Sequence, residues 1–157
     1  MNAPLFAGKS RLYAQSFHWF DRTQFQAECR RILTPSGQVL LVWNDRDRTA
    51  PLIQALYAVN QQFCPAFTGF SNGMDFSDGR QFSAFFSRGY AAVFPHPQGC
   101  TLKDFLGRNL SSSFAPRETD DAYAAYCNAL RTLFHRFCTN SGQVVYPYVT
   151  RCYLGRG

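Results

Sequence analysis

The chain has 157 residues, of which 46% are hydrophobic and 17% aromatic. This length and composition predict a folded domain with a hydrophobic core and argue against a disordered chain. The net charge is +6, but the basic residues lie in short, scattered patches. Binding to nucleic acid is therefore the least favoured of the functions considered below.

The sequence has no apolar run of about eighteen residues, the length that a membrane-spanning helix needs. Its first residues lack the basic start and apolar stretch of a secretory signal, so we expect a cytoplasmic protein. The 6 cysteines are scattered and form no C-x-x-C pair. We expect them to be buried free thiols, because neither a disulfide framework nor a zinc site is indicated.

A strand, a helix and a second strand are predicted in the first part of the chain. The first strand covers residues 12–17. Asp21 and Gln24 have the spacing of a helix start, and the Pro-Ser-Gly sequence at 35–37 is expected to end the helix. The second strand, at 39–43, is apolar on both faces, which is typical of a parallel sheet covered by helices. Together these segments have the size of a parallel unit with a right-handed crossover.

The middle of the chain is predicted to contain a helix, a long loop and a strand. Pro51 suits the first turn of a helix, and an apolar stripe continues to Phe63. Residues 66–79 are rich in Gly, Ser, Asn and Asp, and a loop of this length is expected to cover something. A short helix at 80–86 and a strand at 90–94 follow.

Two further helices and a strand complete the predicted order. Thr101 and Asp104 begin one helix, which ends at the serines 111–113. The clearest helix begins with Thr119 or Asp120 as its cap and keeps a helical period of apolar residues to Phe137. The last strand covers 143–154 and is interrupted by Pro147. Alternating strands and helices of this kind argue for an α/β fold.

Polar and aromatic residues follow both strands of the first unit. Ligands bind beyond the carboxyl ends of parallel strands, and two such ends carry Gln15-Ser16-Phe17-His18-Trp19 and Trp43-Asn44-Asp45-Arg46. These groups suit a small molecule with an aromatic or cationic part. Structural roles remain open for the same residues: a strand cap for His18, a core position for Trp43, a solvated loop at 45–48 and a helix terminus at 111–113.

Three motifs in this region resemble a known family. QSFHWFD, RILTPSG and LVWN occur at 15–21, 31–37 and 41–44, in the order and spacing of a small bacterial group of class I S-adenosylmethionine-dependent methyltransferases. The resemblance continues more weakly through MDFSD, NLSSSFAP and YPYVTRCYLG. It implies a partial Rossmann-like methyltransferase sheet, about strands four to seven with their flanking helices.

The resemblance covers the C-terminal half of the family's fold. Residues 1–157 would form the C-terminal portion of a single methyltransferase domain. Family members hold the cofactor with a glycine-rich loop after their first strand and bind its ribose with an acidic residue after the second. Neither feature is matched in this sequence. We therefore expect a truncated chain that is inactive alone and binds S-adenosylmethionine weakly.

The resemblance also implies roles for particular residues. Gln15, Ser16, His18 and Trp19 would line the methyl-donor side of the cleft. Asn44 and Arg46 would face a small-molecule methyl acceptor, and Ser111 and Ser112 would help to cover it. Methyl transfer depends on positioning and on excluding water, so no catalytic triad is expected.

Two other functions are considered. The chain could be a non-catalytic remnant that acts as an interaction subunit, or, less favoured, a basic nucleic-acid-binding module. If the first strand is an edge strand, its apolar edge is also a pairing site. If the chain folds alone, we expect self-association either through that edge or through exposed apolar helix faces.

Overall fold

The computed structural model describes residues 8–14, 16–73 and 88–156. Gln15, the predicted helix at 80–86 and the last part of the predicted loop at 66–79 lie outside these residues. The described residues belong to two compact units. The sheet unit is drawn from Met1–Asp45, Phe76–Phe94 and Val149–Gly157, and the helical unit from Arg46–Asp75 and Pro95–Tyr148. The single domain over residues 1–157 stays a prediction.

Strands and helices alternate along the chain, which confirms the predicted α/β class. The elements are β1 Gly8–Ala14, α1 Arg22–Ile32, β2 Leu33–Arg46, α2 Pro51–Phe63, β3 Arg88–Pro95, β4 Gln98–Cys100, α3 Leu102–Leu110, α4 Tyr123–Phe137, β5 Val144–Tyr146 and β6 Tyr148–Arg156, with 3-10 turns at Phe17–Trp19 and Phe70–Gly73. Four strands form a sheet in the order β1-β2-β6-β3, and β4 pairs with β5. The last strand of the chain therefore lies inside the sheet.

The first two strands are parallel, as predicted, and their register contains an irregularity. Ser10 to Ala14 pair in step with Gln38 to Val42, but Gly8 pairs with Leu33. Five residue steps along β2 thus correspond to two along β1. A Cβ atom at Gly37 would lie 2.8 Å from the Cβ of Leu33, so the irregular stretch needs a residue without a side chain.

The structure corrects the predicted bounds of both strands. The predicted strand at 12–17 is replaced by β1 at Gly8–Ala14, and a 3-10 turn follows at Phe17–Trp19. The predicted strand at 39–43 is the centre of the longer β2. The Pro-Ser-Gly sequence belongs to β2, because proline and glycine are compatible with an irregular strand. From Gly37 to Asp45, every second residue of β2 is buried and most of the residues between them are half-buried. One face of the strand is therefore covered more fully than the other, whereas the sequence predicted cover on both faces.

Three of the four helix starts predicted within the described residues are confirmed, and α2 begins at Pro51 as expected. The Asp21 carboxylate accepts a hydrogen bond from the Gln24 amide at 2.8 Å, and Thr101 and Asp104 form a reciprocal capping box. The predicted caps of α4 are wrong. This helix begins at Tyr123 after Ala122, without a side-chain cap, because Asp120 accepts from the Arg117 amide in the preceding turn, at 2.7 Å.

The helical unit contains a continuous hydrophobic core. The predicted apolar stripes of α2, α3 and α4 supply most of it, and β5 adds two residues. The most deeply buried members are Leu56, Phe105, Tyr126, Leu130 and Tyr146. The Tyr126 hydroxyl donates to the side-chain oxygen of Asn60 at 2.8 Å, so the core also has a buried hydrogen bond. Pro147 interrupts the final strand as predicted, and the two pieces belong to different sheets.

All six cysteines are free thiols, as predicted. Cys29, Cys64, Cys100 and Cys127 are buried, and the two others are partly exposed. Burial raises the pKa of the Cys29, Cys64 and Cys100 thiols, so these groups are poor nucleophiles at neutral pH. Among the described helices, none has both the length and the apolar character needed to cross a membrane.

Candidate functional site

The carboxyl ends of β1 and β2 meet at one edge of the sheet unit. Ala14 pairs with Val42 in the parallel register, so the chain leaves both strands at the same rim, as predicted. Ser16 follows β1 and is half-buried, whereas Trp19 is 75% exposed. The Trp19 amide donates to the Ser16 carbonyl at 3.0 Å. This tight turn presents the indole at the rim.

Aromatic packing beneath the turn fixes its position. Phe17 is buried, and its ring centroid lies 5.7 Å from that of Phe25 in α1. Tyr13 and Phe20 also pack against Phe25, at centroid distances of 4.7 and 4.8 Å. The Tyr13 and Phe17 rings meet Phe25 edge to face, a directional contact, whereas the Phe20 ring is tilted by 35° to that of Phe25. The QSFHWFD motif is therefore partly a packing motif, in which Phe17 and Phe20 anchor the turn.

The end of β2 carries two polar residues that contact β6. The Asn44 side-chain oxygen accepts from the Thr150 hydroxyl at 2.7 Å. Asp45 is only 1% exposed, and its carboxylate lies 3.6 Å from Nε of Arg151. The interpretation of 45–48 as a solvated loop is thus wrong for Asp45. Strand alternation could have identified it, because Asp45 continues the buried face of Val39, Leu41 and Trp43.

Arg46 lies in the helical unit and is held by aromatic groups. Its Nε donates to the Tyr146 hydroxyl at 3.1 Å, and its guanidinium carbon lies 4.5 Å from the centre of the Phe70 ring. Tyr146 is fully buried. Burial raises the pKa of Tyr146, and the nearby Arg46 offsets this only in part. The phenol therefore stays neutral at neutral pH and accepts the arginine's hydrogen bond.

A cavity of about 380 Å³ lies in the helical unit beside this cluster. It is lined by Arg48, Ile53, Gln54, Tyr57, Thr68, Gly69 and Phe70. Arg48 comes from the loop after β2. Ile53, Gln54 and Tyr57 belong to α2, and Thr68, Gly69 and Phe70 to the segment that leads into the 3-10 turn at Phe70–Gly73. The long loop was predicted to cover something, and its described part does line this cavity.

The cavity combines a few polar groups with an apolar wall, the usual composition of a small-molecule site. Nη2 of Arg48 lies 3.5 Å from the Phe70 carbonyl, to which it donates. None of the described lining residues is acidic. Sequence analysis did not identify this cavity, because Arg48 and Phe70 are 22 residues apart in the sequence and no motif connects them.

The predicted cover residues Ser111 and Ser112 stand at the end of α3. The Ser111 hydroxyl donates to the Arg108 carbonyl at 3.0 Å, and the Ser112 amide to the Asn109 carbonyl at 3.3 Å. These contacts are those of a helix terminus, the structural role that the sequence left open. Their role over an acceptor stays a prediction. Gln15 and the side chain of His18 lie outside the described part of the chain.

Metal chemistry has no ready site in the part of the chain that the structure describes. No group of three or more His, Cys, Asp or Glu side chains there could hold a metal ion.

Sequence comparison finds short matches to methyltransferase-like proteins. No family model matches the chain. An uncharacterized methyltransferase-like protein of Schizosaccharomyces pombe is 49% identical over 43 residues, which are 27% of this chain and 17% of that protein. An uncharacterized methyltransferase of the same yeast is 40% identical over 40 residues, 26% of this chain and 16% of the relative. The matched segment thus spans less than a fifth of either relative.

Structure comparison matches nearly the whole chain. The solved structure of a candidate type II methyltransferase from Anaeromyxobacter dehalogenans aligns with a TM-score of 0.59 and 21% identity. The match covers 96% of this chain and 65% of the solved one. At this identity the match shows the fold. The predicted class, a partial Rossmann-like sheet of the methyltransferase type, is confirmed.

Proposed function

We propose that this chain is part of an S-adenosylmethionine-dependent methyltransferase that acts on a small-molecule acceptor. The observation that carries the proposal is the segment 49% identical to a methyltransferase-like protein. The shared fold is consistent with it. The finer likeness to the bacterial group with the QSFHWFD and LVWN motifs belongs to the same proposal.

The sheet unit would supply contacts on the methyl-donor side. The exposed indole of Trp19 offers an aromatic face, which attracts cations such as a sulfonium, and Ser16 offers a hydroxyl beside it. Gln15 and His18 join them by their place in the motif. When bound, S-adenosylmethionine supplies the electrophilic methyl group. The described strand-to-helix junctions after β1 and β2 contain no glycine, so they do not supply the glycine-rich loop with which family members hold the cofactor, and binding by this chain alone should be weak.

The helical unit would bind and orient the acceptor. Its cavity has the size and composition of a small-molecule site. Arg46, held by Phe70 and Tyr146, remains with Asn44 an acceptor contact proposed from the motif. Ser111 and Ser112 remain the proposed cover over the acceptor. Holding the acceptor nucleophile in line and excluding water are the contributions this fold makes to rate.

Saturation-transfer NMR with S-adenosylmethionine at millimolar concentration tests the donor side. We expect transfer to the cofactor from wild-type protein and its loss in Trp19→Ala. Tyr90→Ala is the matched control, because Tyr90 is also an exposed aromatic residue of the sheet unit, at 77% exposure. Equal transfer in both variants, or none from the wild type, would contradict the proposed donor site. Micromolar binding in a calorimetric titration would overturn the expectation of weak binding.

A non-catalytic interaction role is the second candidate. The observation that favours it is the exposed apolar side of the described sheet, where Leu12 in β1 is 63% exposed. Under this proposal the chain associates through β1, and cofactor contacts at Trp19 are absent in the NMR experiment.

A further inference from the structure

We propose that β3 is an interface between two copies of this chain, which pair edge to edge in antiparallel orientation about a two-fold axis at Ala92. β3 covers Arg88–Pro95 and is the outer strand of the described sheet on the side away from β1. The inference goes beyond the proposed methyl transfer and does not depend on it, because it rests on the exposure, charge and side-chain pattern of one strand.

β3 is exposed on both of its faces. Side chains alternate between the two faces of a strand, and every residue from Gly89 to Pro95 is exposed. Tyr90, Val93 and Phe94 are 77%, 51% and 54% exposed. Large apolar side chains on an outer strand favour pairing with a further strand. β3 therefore carries apolar surface that a partner strand would cover.

The charge of β3 favours a second copy of the chain as that partner. Its sequence is RGYAAVFP, so a charge stands only at its first position. When an edge strand pairs with its own copy, like charges on the strand come close to each other and oppose the pairing. β1, on the other side of the described sheet, contains Lys9 and Arg11 among its 7 residues. β3 is therefore the side of the described sheet that is better suited to self-pairing.

The order of side-chain sizes in β3 fits one two-fold register. With the axis at Ala92, Tyr90 of each copy lies opposite Phe94 of the other copy, on the same face of the combined sheet. The two Ala92 side chains lie between these aromatic pairs. On the other face, Ala91 of each copy lies opposite Val93. Opposite side chains are the contacts that stabilise a sheet, and aromatic pairs are among the more favourable ones.

Proline limits the length of the pairing. Pro95 has no backbone amide to donate to a partner strand, and Pro97 follows two residues later, so pairing is confined to residues 89–94. A two-fold contact uses the same strand of both copies and closes at the dimer. One short strand pair buries less than the roughly 1,200 Å² of a stable complex, and we expect a dissociation constant in the micromolar range.

Two substitutions of opposite charge at the axis test the inference. Ala92→Lys and Ala92→Glu each bring two like charges face to face, and we expect each to weaken self-association by about tenfold or more in sedimentation equilibrium. An equimolar mixture of the two variants should recover the dimer, because a lysine then faces a glutamate. Recovery on mixing distinguishes pairing at Ala92 from a folding defect, which mixing would not repair.

Two further variants serve as controls. Ala124→Lys makes the same change at an exposed alanine of α4, in the helical unit, and should associate like the wild type. Leu12→Lys changes β1 and should remove only species larger than the dimer, because the dimer contact lies in β3.

Hydrogen exchange measures the same contact in the wild-type protein. Amides within residues 89–94 should exchange more slowly as the protein concentration rises, because strand pairing forms new backbone hydrogen bonds. This measurement decides the question even if the Ala92 variants do not fold.

A wild-type monomer up to millimolar concentration, or exchange at residues 89–94 that does not depend on concentration, would overturn the inference. A dimer that neither Ala92 variant weakens, or a mixture of the folded variants that stays monomeric, would overturn it as well. None of these measurements uses a methyl donor, so failure of the β3 interface would leave the proposed function as it stands.

Discussion

The two units differ in how their large apolar side chains are covered. In the helical unit, Leu56, Phe105 and Leu130 are fully buried in one continuous cluster. In the sheet unit, Leu12, Tyr90 and Phe94 are 63%, 77% and 54% exposed. Stability in the first unit should therefore depend on packing, whereas in the second much of the apolar surface is available for contact with another molecule.

Replacing a buried leucine of the helical unit should have the largest effect. Leu130→Ala removes side-chain volume at a site with 0% exposure, and we expect it to lower the free energy of unfolding by about 3 kcal/mol. Leu12→Ala makes the same chemical change at an exposed position of the sheet unit and should cost less than about 0.5 kcal/mol. Urea denaturation of both variants measures the difference. Similar costs at the two positions would contradict the contrast between the units.

The described part of the sheet unit contains a buried contact between Asp45 and Arg151, on which its stability should depend. Asp45→Asn would leave Arg151, whose side chain is 15% exposed, without its negative partner. We expect a cost of about 2 kcal/mol, below the full value for a buried pair because the charged atoms are 3.6 Å apart. Faster amide exchange in β2 and β6 would report the local effect. Glu28→Gln is the control, since the Glu28–Arg31 pair is exposed at 62% and 50% for arginine and glutamate, and it should leave exchange in these strands unchanged.

Self-association is the prediction that follows from the exposed part of the sheet. β1 is the outer strand on one side of the described sheet, and Leu12 stands exposed on it. We expect a molar mass that rises with concentration in light scattering after size exclusion, and a shift toward the monomer in Leu12→Lys, because a charge on an edge strand opposes pairing. Val145→Lys places the same charge at a 53% exposed position of the helical unit and should not change the mass. A monomer at high concentration in the wild type would count against the prediction.

The parts of the fold that the sequence predicted are those with local signals. The starts of α1 and α3 were readable because Asp21 and Thr101 act on residues three positions away. The apolar period of α4 could also be recognised, because it is a pattern within a single helix. The start of α4 could not be recognised, because the Asp120 carboxylate accepts a hydrogen bond within the preceding turn. The length of β2 was underestimated, because proline and glycine usually end a helix or strand.

The sequence predicted the part of the site that lies at the ends of the paired strands β1 and β2. The rim at Ser16 and Asn44 follows from parallel pairing, which the pattern of elements indicated. Strand alternation could have revealed the burial of Asp45, but its partner Arg151 lies in β6, and the cavity depends on a contact between Arg48 and Phe70, on either side of α2 in the sequence. Contacts between distant parts of the chain leave no mark at a single position, so composition and periodicity could not reveal them.

The smallest expected effect concerns a helix start of the helical unit. Thr101→Ala removes the side chain that accepts from the Asp104 amide at 3.2 Å, and we expect a loss of about 1 kcal/mol in urea denaturation. The hydrogen bonds from Thr101 lower the pKa of Asp104 below its usual value. A carboxylate whose pKa is lowered on folding stabilises the protein above its ordinary pKa, and this stabilisation disappears as the pH falls through the lowered value. The difference between wild type and Thr101→Ala should therefore be largest near neutral pH and shrink below about pH 4. A difference that stays constant between pH 7 and pH 3 would mean that the cap acts through Thr101 alone, without the charge on Asp104.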